Sequence, residues 1–229
     1  MHARATMRHD AGVRSAEWAR AARRYLLPDL PGSWGIQGAL IYRLPMEWLL
    51  CSVVMQTRPG LRTFGLRADV QLLAVPRSYL TADLSASQAW DGPRGQWELP
   101  AELDDSTQVM RTVRDSILEE TPEYFDRFGD LDGYASGVRG LLGLNPLNCN
   151  YHEEHCYVRL LQGDAPSALA AAGDAIRTAE ADGRDWALTL RDRVATVSAA
   201  AREDPARAVD LLREQAAWTR SELHLPPVA

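Results

Sequence analysis

Residues 63–75 alternate with a period of two, whereas from Asp104 to the end apolar residues recur at helical spacing. A chain that confines its period-two pattern to one block keeps its strands and its helices apart. That pattern favours an α+β fold. Phe64, Leu66, Ala68, Val70, Leu72 and Ala74 face one way, and Thr63, Arg67, Asp69 and Gln71 face the other. Residues 38–44 read as a strand. Residues 47–56 are apolar on both faces, as expected of a strand covered on each side. Pro59-Gly60 fits the centre of a type II turn, and the short connections imply an antiparallel meander. A fourth strand is expected around Gln96–Leu99, after the Gly/Pro-rich segment Asp91–Gly95.

Before the strands, residues 14–27 place Trp18, Ala21, Ala22, Tyr25 and Leu26 on one helical face, and Pro28 with Pro31-Gly32 ends the helix. After the strands, Asp105 or Ser106 can cap a helix through about Glu120. Thr121-Pro122 reads as the cap and first residue of a new helix, which Gly129 and Gly133 interrupt. Asn150 is the expected cap of the next helix, with Glu153 completing a capping box. Asp164 then opens an alanine-rich helix with Ala168, Ala171, Ala172, Ala175 and Ala179 on one narrow face, and Gly183 ends it. Asp204-Pro205 opens the last helix, whose apolar positions include Ala208, Leu212 and Ala216. Asp164 with Ala168-Leu169 recurs forty residues later as Asp204 with Ala208-Val209, as two stacked helical hairpins would require.

The expected architecture is therefore an N-terminal helix packed on a three- or four-stranded antiparallel sheet, followed by an all-helical half with hairpin packing. The expected boundaries are a flexible N-terminus at 1–13, an α+β domain at 14–130 and a helical hairpin region at 131–229.

Composition removes several chemistries. Among 229 residues there is no lysine; all 25 basic residues are arginine. A GxxxxGK[ST] phosphate loop and a lysine Schiff base are both ruled out. The net charge is −6 and the arginines are dispersed, which disfavours nucleic acid as a partner. Three cysteines at irregular spacing make no disulfide framework and suit a reducing cytoplasm. No apolar run reaches the roughly 18 residues that cross a bilayer, and Met1–Ser15 has no apolar signal region.

Several segments share the order of a known family. They are Tyr25-Leu26-Leu27-Pro28 ending the first helix, Ala39-Leu40-Ile41-Tyr42-Arg43, and Val53-Val54-Met55-Gln56. Phe64 to Ala74, the isolated Trp97 and Pro122-Glu123-Tyr124-Phe125 complete the set. Over roughly residues 14–130 the chain resembles the bacterial family called domain of unknown function 4304. The family glycine-plus-Phe after the first helix is met only by Gly35-Ile36. The tail resembles tetratricopeptide-type hairpins, most clearly at Leu160-Leu161-Gln162-Gly163-Asp164 followed by Ala168-Leu169. The family implies a fold and no established reaction.

Potential ligands concentrate in one stretch, Cys149 to Cys156, which holds two cysteines and two histidines. His152 and Cys156 are four residues apart and His152 and His155 three apart, so each pair shares a helical face. Thiolate and imidazole are zinc ligands at about 2.0–2.3 Å in a tetrahedron. Four ligands from one short helix converge poorly, and the spacing departs from His-Glu-x-x-His. The other reading of this stretch is the first turn of a packed helix. A second candidate set is aromatic: Trp34 and Trp90 lie in loop-like segments, where aromatic side chains favour interfaces, whereas Trp18, Trp48 and Trp218 fit core positions. The acidic run Glu102, Asp104, Asp105 and Glu119, Glu120, Glu123 suits solvated helix ends. No Gly-x-Ser-x-Gly elbow and no Gly-x-Gly-x-x-Gly is present.

The expected function is non-catalytic: a cytoplasmic protein-binding or adaptor protein of the immunity or phage-defence accessory kind, with Trp34 and Trp90 at the contact. Its partner is another protein, with no membrane and no cofactor involved. The alternative is a metal-dependent enzyme holding zinc with Cys149, His152, His155 and Cys156.

Overall fold

The computed structural model describes residues 13–57, 61–81, 84–85 and 96–227. Trp90, the Pro59-Gly60 turn, the Asp91–Gly95 segment and residues 1–12 of the expected N-terminus lie outside them. The fold is α+β, as the change of period requires. Helix α1 (Ser15–Tyr25) and a one-turn 3-10 helix (Leu27–Asp29) precede six strands: β1 (Ser33–Gln37), β2 (Leu40–Leu44), β3 (Leu49–Thr57), β4 (Thr63–Leu72), β5 (Leu84–Ser85) and β6 (Trp97–Glu98). The helical half comprises α2 (Thr107–Phe128), α3 (Leu131–Leu144), α4 (Cys149–Leu161), α5 (Ala165–Asp182), α6 (Asp185–Glu203) and α7 (Pro205–Glu222).

The strands form one sheet in the order β1-β2-β3-β4-β5, with β6 also pairing β4. The β1–β2, β2–β3 and β4–β6 pairs are antiparallel. The sheet is larger than the three or four strands expected. Trp34, expected in a loop-like segment, lies on strand β1. The ring of Tyr42, the cross-strand partner of Gly35, occupies the space a Cβ there would fill, with its nearest atom 2.4 Å from that position. An aromatic side chain thus covers a strand glycine. Gly38, at φ +57°, takes the first position of the two-residue β1–β2 turn, where a positive φ is needed. Strand β4 alternates in its first half, then becomes buried on both faces, so Asp69 and Gln71 are inside rather than solvent-facing.

Two helix boundaries also differ from expectation. Helix α2 passes through Thr121-Pro122 without a break. The Thr121 hydroxyl donates to the Ile117 carbonyl at 2.8 Å, so it bonds backwards along the helix and is not a cap. Pro122 leaves the carbonyl of Leu118 without its usual donor, and Leu118 sits on the exposed side where water can supply one. Helix α4 begins two residues earlier than expected: Asn148, not Asn150, is its cap, accepting from the Asn150 N–H at 3.0 Å. Gly133 lies inside α3, and Asp130 caps that helix through the Gly133 N–H at 2.7 Å. The caps at Asp164 and Asp204 stand as read, with Ala168 and Ala208 buried four residues after each.

Two compact units divide the chain. The first holds the described residues of Met1–Leu44, Ser52–Asp69 and Ser85–Pro122; the second holds Pro45–Cys51, Val70–Leu84 and Glu123–Ala229. In the first, Trp18 meets Phe64 edge-on at 5.3 Å, and Phe64 meets Trp97 at 5.7 Å. Arg62 donates to the carbonyls of Leu99 and Pro100, fixing the end of β6. In the second, helices α3 to α7 follow one another through turns of four residues or fewer. Such turns make antiparallel neighbours. The Gln162 amide confirms the sense, reaching from the end of α4 to Leu131 and Asp132 at the start of α3. The five alanines of α5 are all buried, so α4 and α6 approach it closely. Trp218 is not core: it is 46% exposed on α7.

Candidate functional site

Helix α4 is the centre of the helical unit, and two consecutive carboxylates on it are buried. Glu153 accepts two hydrogen bonds from Arg193 of α6, at 2.6 and 2.8 Å. Glu154 has other partners, accepting from Arg77 at 2.7 Å and from the Tyr134 hydroxyl of α3 at 2.9 Å. Fork-shaped guanidinium pairing supplies what a desolvated carboxylate loses in leaving water. Tyr157 is buried against the same region; burial, then the charge of Glu153, pushes its hydroxyl pKa well up, so it stays protonated. Both carboxylates are closed off from solvent and committed to internal partners, which suits holding helices together and not acting on a substrate.

The Cys149–Cys156 run winds around this same helix. Cys149 and Cys156 are buried free thiols. Burial, with Glu153 adding to it, pushes Cys156 up to about 12, so its thiolate is scarce at neutral pH. His152 Nε2 lies 2.8 Å from the Pro146 carbonyl, which fixes a proton on that nitrogen. His155 Nε2 instead accepts from Arg159 at 3.2 Å. Burial and the Arg159 charge lower the His155 pKa, keeping its ring neutral. The four side chains are therefore split between the interior and separate local bonds. Among the described residues no three of His, Cys, Asp and Glu converge to hold a metal ion.

The N-terminus of α4 opens onto a different feature. Because successive helices are antiparallel, the α3–α4 turn and the α5–α6 turn lie at one end of the unit. Cys149 links them: after burial, the charge of Asp182 at the end of α5 is the main influence raising its pKa. This end displays large apolar side chains. Leu144 is 85% exposed and Leu147 79% exposed on the first turn, and Trp186 is 44% exposed at the start of α6. Scattered exposed leucines are ordinary, but apolar side chains gathered on neighbouring turns single this end out as the candidate site. Arg184 stacks over the Trp186 ring at 4.8 Å and pairs with Asp182 at 2.6 Å.

Trp34 is half-buried on strand β1, and its indole N–H donates to the Pro31 carbonyl at 2.9 Å. Sequence reading missed Leu144, Leu147 and Trp186. Their signal was a pair of leucines on either side of the turn-forming Asn145-Pro146, where a loop would ordinarily be polar. Comparisons with known proteins found no matching family model, curated protein or solved structure.

Proposed function

We propose that this chain is a non-catalytic, cytoplasmic protein-binding or adaptor protein of bacterial type, and that the α3–α4 and α5–α6 turns form its docking end. The observation that carries this reading is the exposure of Leu144, Leu147 and Trp186 on neighbouring turns. Tryptophan and leucine in such a setting give a partner an apolar centre to cover. Below them, the Glu153–Arg193 and Glu154–Arg77–Tyr134 bonds hold the helices that present the turns. Buried free thiols suit a reducing compartment. Among the described residues no helix is long and apolar enough to cross a membrane. Trp34 offers a further contact in the sheet unit.

Site-specific photocrosslinking in the native host tests this reading. A crosslinking side chain at Leu147 should give a discrete adduct with another protein. The same side chain at the exposed Ala195 of α6 should not. No adduct from position 147, or the same adducts from both positions, would count against it.

A further inference from the structure

We infer that the docking end takes a cationic amphipathic segment of its partner, with apolar side chains meeting Leu144, Leu147 and Trp186 and basic side chains meeting the carboxylates around them. This inference rests on the proposed docking role and adds the partner's chemistry to it.

The local charge is one-sided. Glu180, Asp182 and Asp185 are exposed around the α5–α6 turn, and Arg184 is the one cation between residues 180 and 186. Arg184 is already committed to Asp182 and to the Trp186 ring. Glu180 and Asp185 make no ion pair among the described residues. Residues 143–148 of the other turn carry no charge. The last turns of α3 and α5, which both end here, contain no basic residue. Helix α7 ends here too, and the Arg220 of its last turn is buried and donates to the carbonyls of Met46 and Glu47. The helix dipoles do not set the sign: α4 and α6 begin at this end, while α3, α5 and α7 end at it, so their contributions largely offset. The side chains do. The same bias runs through the region: residues 123–229 hold eleven arginines against seventeen Asp and Glu, whereas residues 1–122 hold fourteen of each. The full net charge of −6 thus belongs to the part of the chain that contains these turns. Rim carboxylates around an apolar centre speed the approach of a cationic partner and repel an acidic one.

A random peptide library selected on the immobilised full chain, and counter-selected on the Leu144→Asp/Leu147→Asp variant, tests this. Circular dichroism and urea unfolding would first show that the variant folds. The expected winners combine a net positive charge with apolar anchors. A representative peptide should bind about two- to five-fold more weakly to Glu180→Gln and to Asp185→Asn, and more weakly as salt is raised. Neutral or acidic winners that still require Leu144 and Leu147 would overturn the cationic inference and leave the docking role standing. If no peptide distinguishes the chain from its variant, the docking end fails as well, and the inference with it.

Discussion

Arg193 closes on the fully buried carboxylate of Glu153 with two hydrogen bonds, 2.6 and 2.8 Å long, joining α6 to α4. Removing the cation alone strands a desolvated charge. Arg193→Ala should therefore lower stability by about 3–5 kcal/mol, read as a fall in the urea midpoint. The paired change Glu153→Leu with Arg193→Met should recover most of that loss, because it removes the charge and its partner together. A double variant as unstable as the single one would contradict this account of the pair.

One residue further along α4, Tyr134→Phe deletes one donor to Glu154 while keeping the ring. A hydrogen bond to a charged acceptor is worth about 1.5–3 kcal/mol, so a loss of that size is expected in denaturant unfolding.

The alanine face of α5 should resist larger side chains. Ala172 is fully buried, and Ala172→Leu should cost about 1–3 kcal/mol through overpacking. The exposed Ala170 on the same helix should accept leucine with little change, which separates packing from helix propensity.

His155 gives the fold a pH dependence of known sign. Its folded pKa lies below its unfolded value, through burial first and Arg159 second. The native state therefore binds fewer protons than the unfolded chain. Its contribution is fully present above the unfolded value of about 6.5 and is lost as the pH falls through the folded pKa. His155→Gln should flatten this part of the profile. Urea midpoints of both proteins at about pH 7.5 and about pH 5.5 check it, and equal slopes would exclude His155 as the source.

The pattern-level features of the fold were legible because they depend on neighbours in sequence. The alternation at Phe64–Ala68, the alanine face of α5 and the caps at Asp164 and Asp204 are local codes, and each appears where its pattern places it. Features decided by distant residues were not legible. Strand β1 depends on Tyr42 covering Gly35. Glu153 fits a capping box by spacing, yet Arg193, forty residues away, draws it inside. Trp218 has core-like spacing, yet on α7 it remains half-exposed. The candidate site was hidden for the converse reason. An apolar residue in a turn reads as incidental until the fold shows that Leu144, Leu147 and Trp186 share one end of a helical unit.

The central claim is that this end is a binding surface and not a part of the core. The most direct test is the Leu144→Asp/Leu147→Asp variant, measured for urea stability and for partners retained in quantitative affinity purification from the native host. Substitution at sites this exposed should leave stability within about 0.5 kcal/mol of the parent while the specific partner is lost. A variant that is equally stable and keeps every partner of the parent chain would contradict the claim.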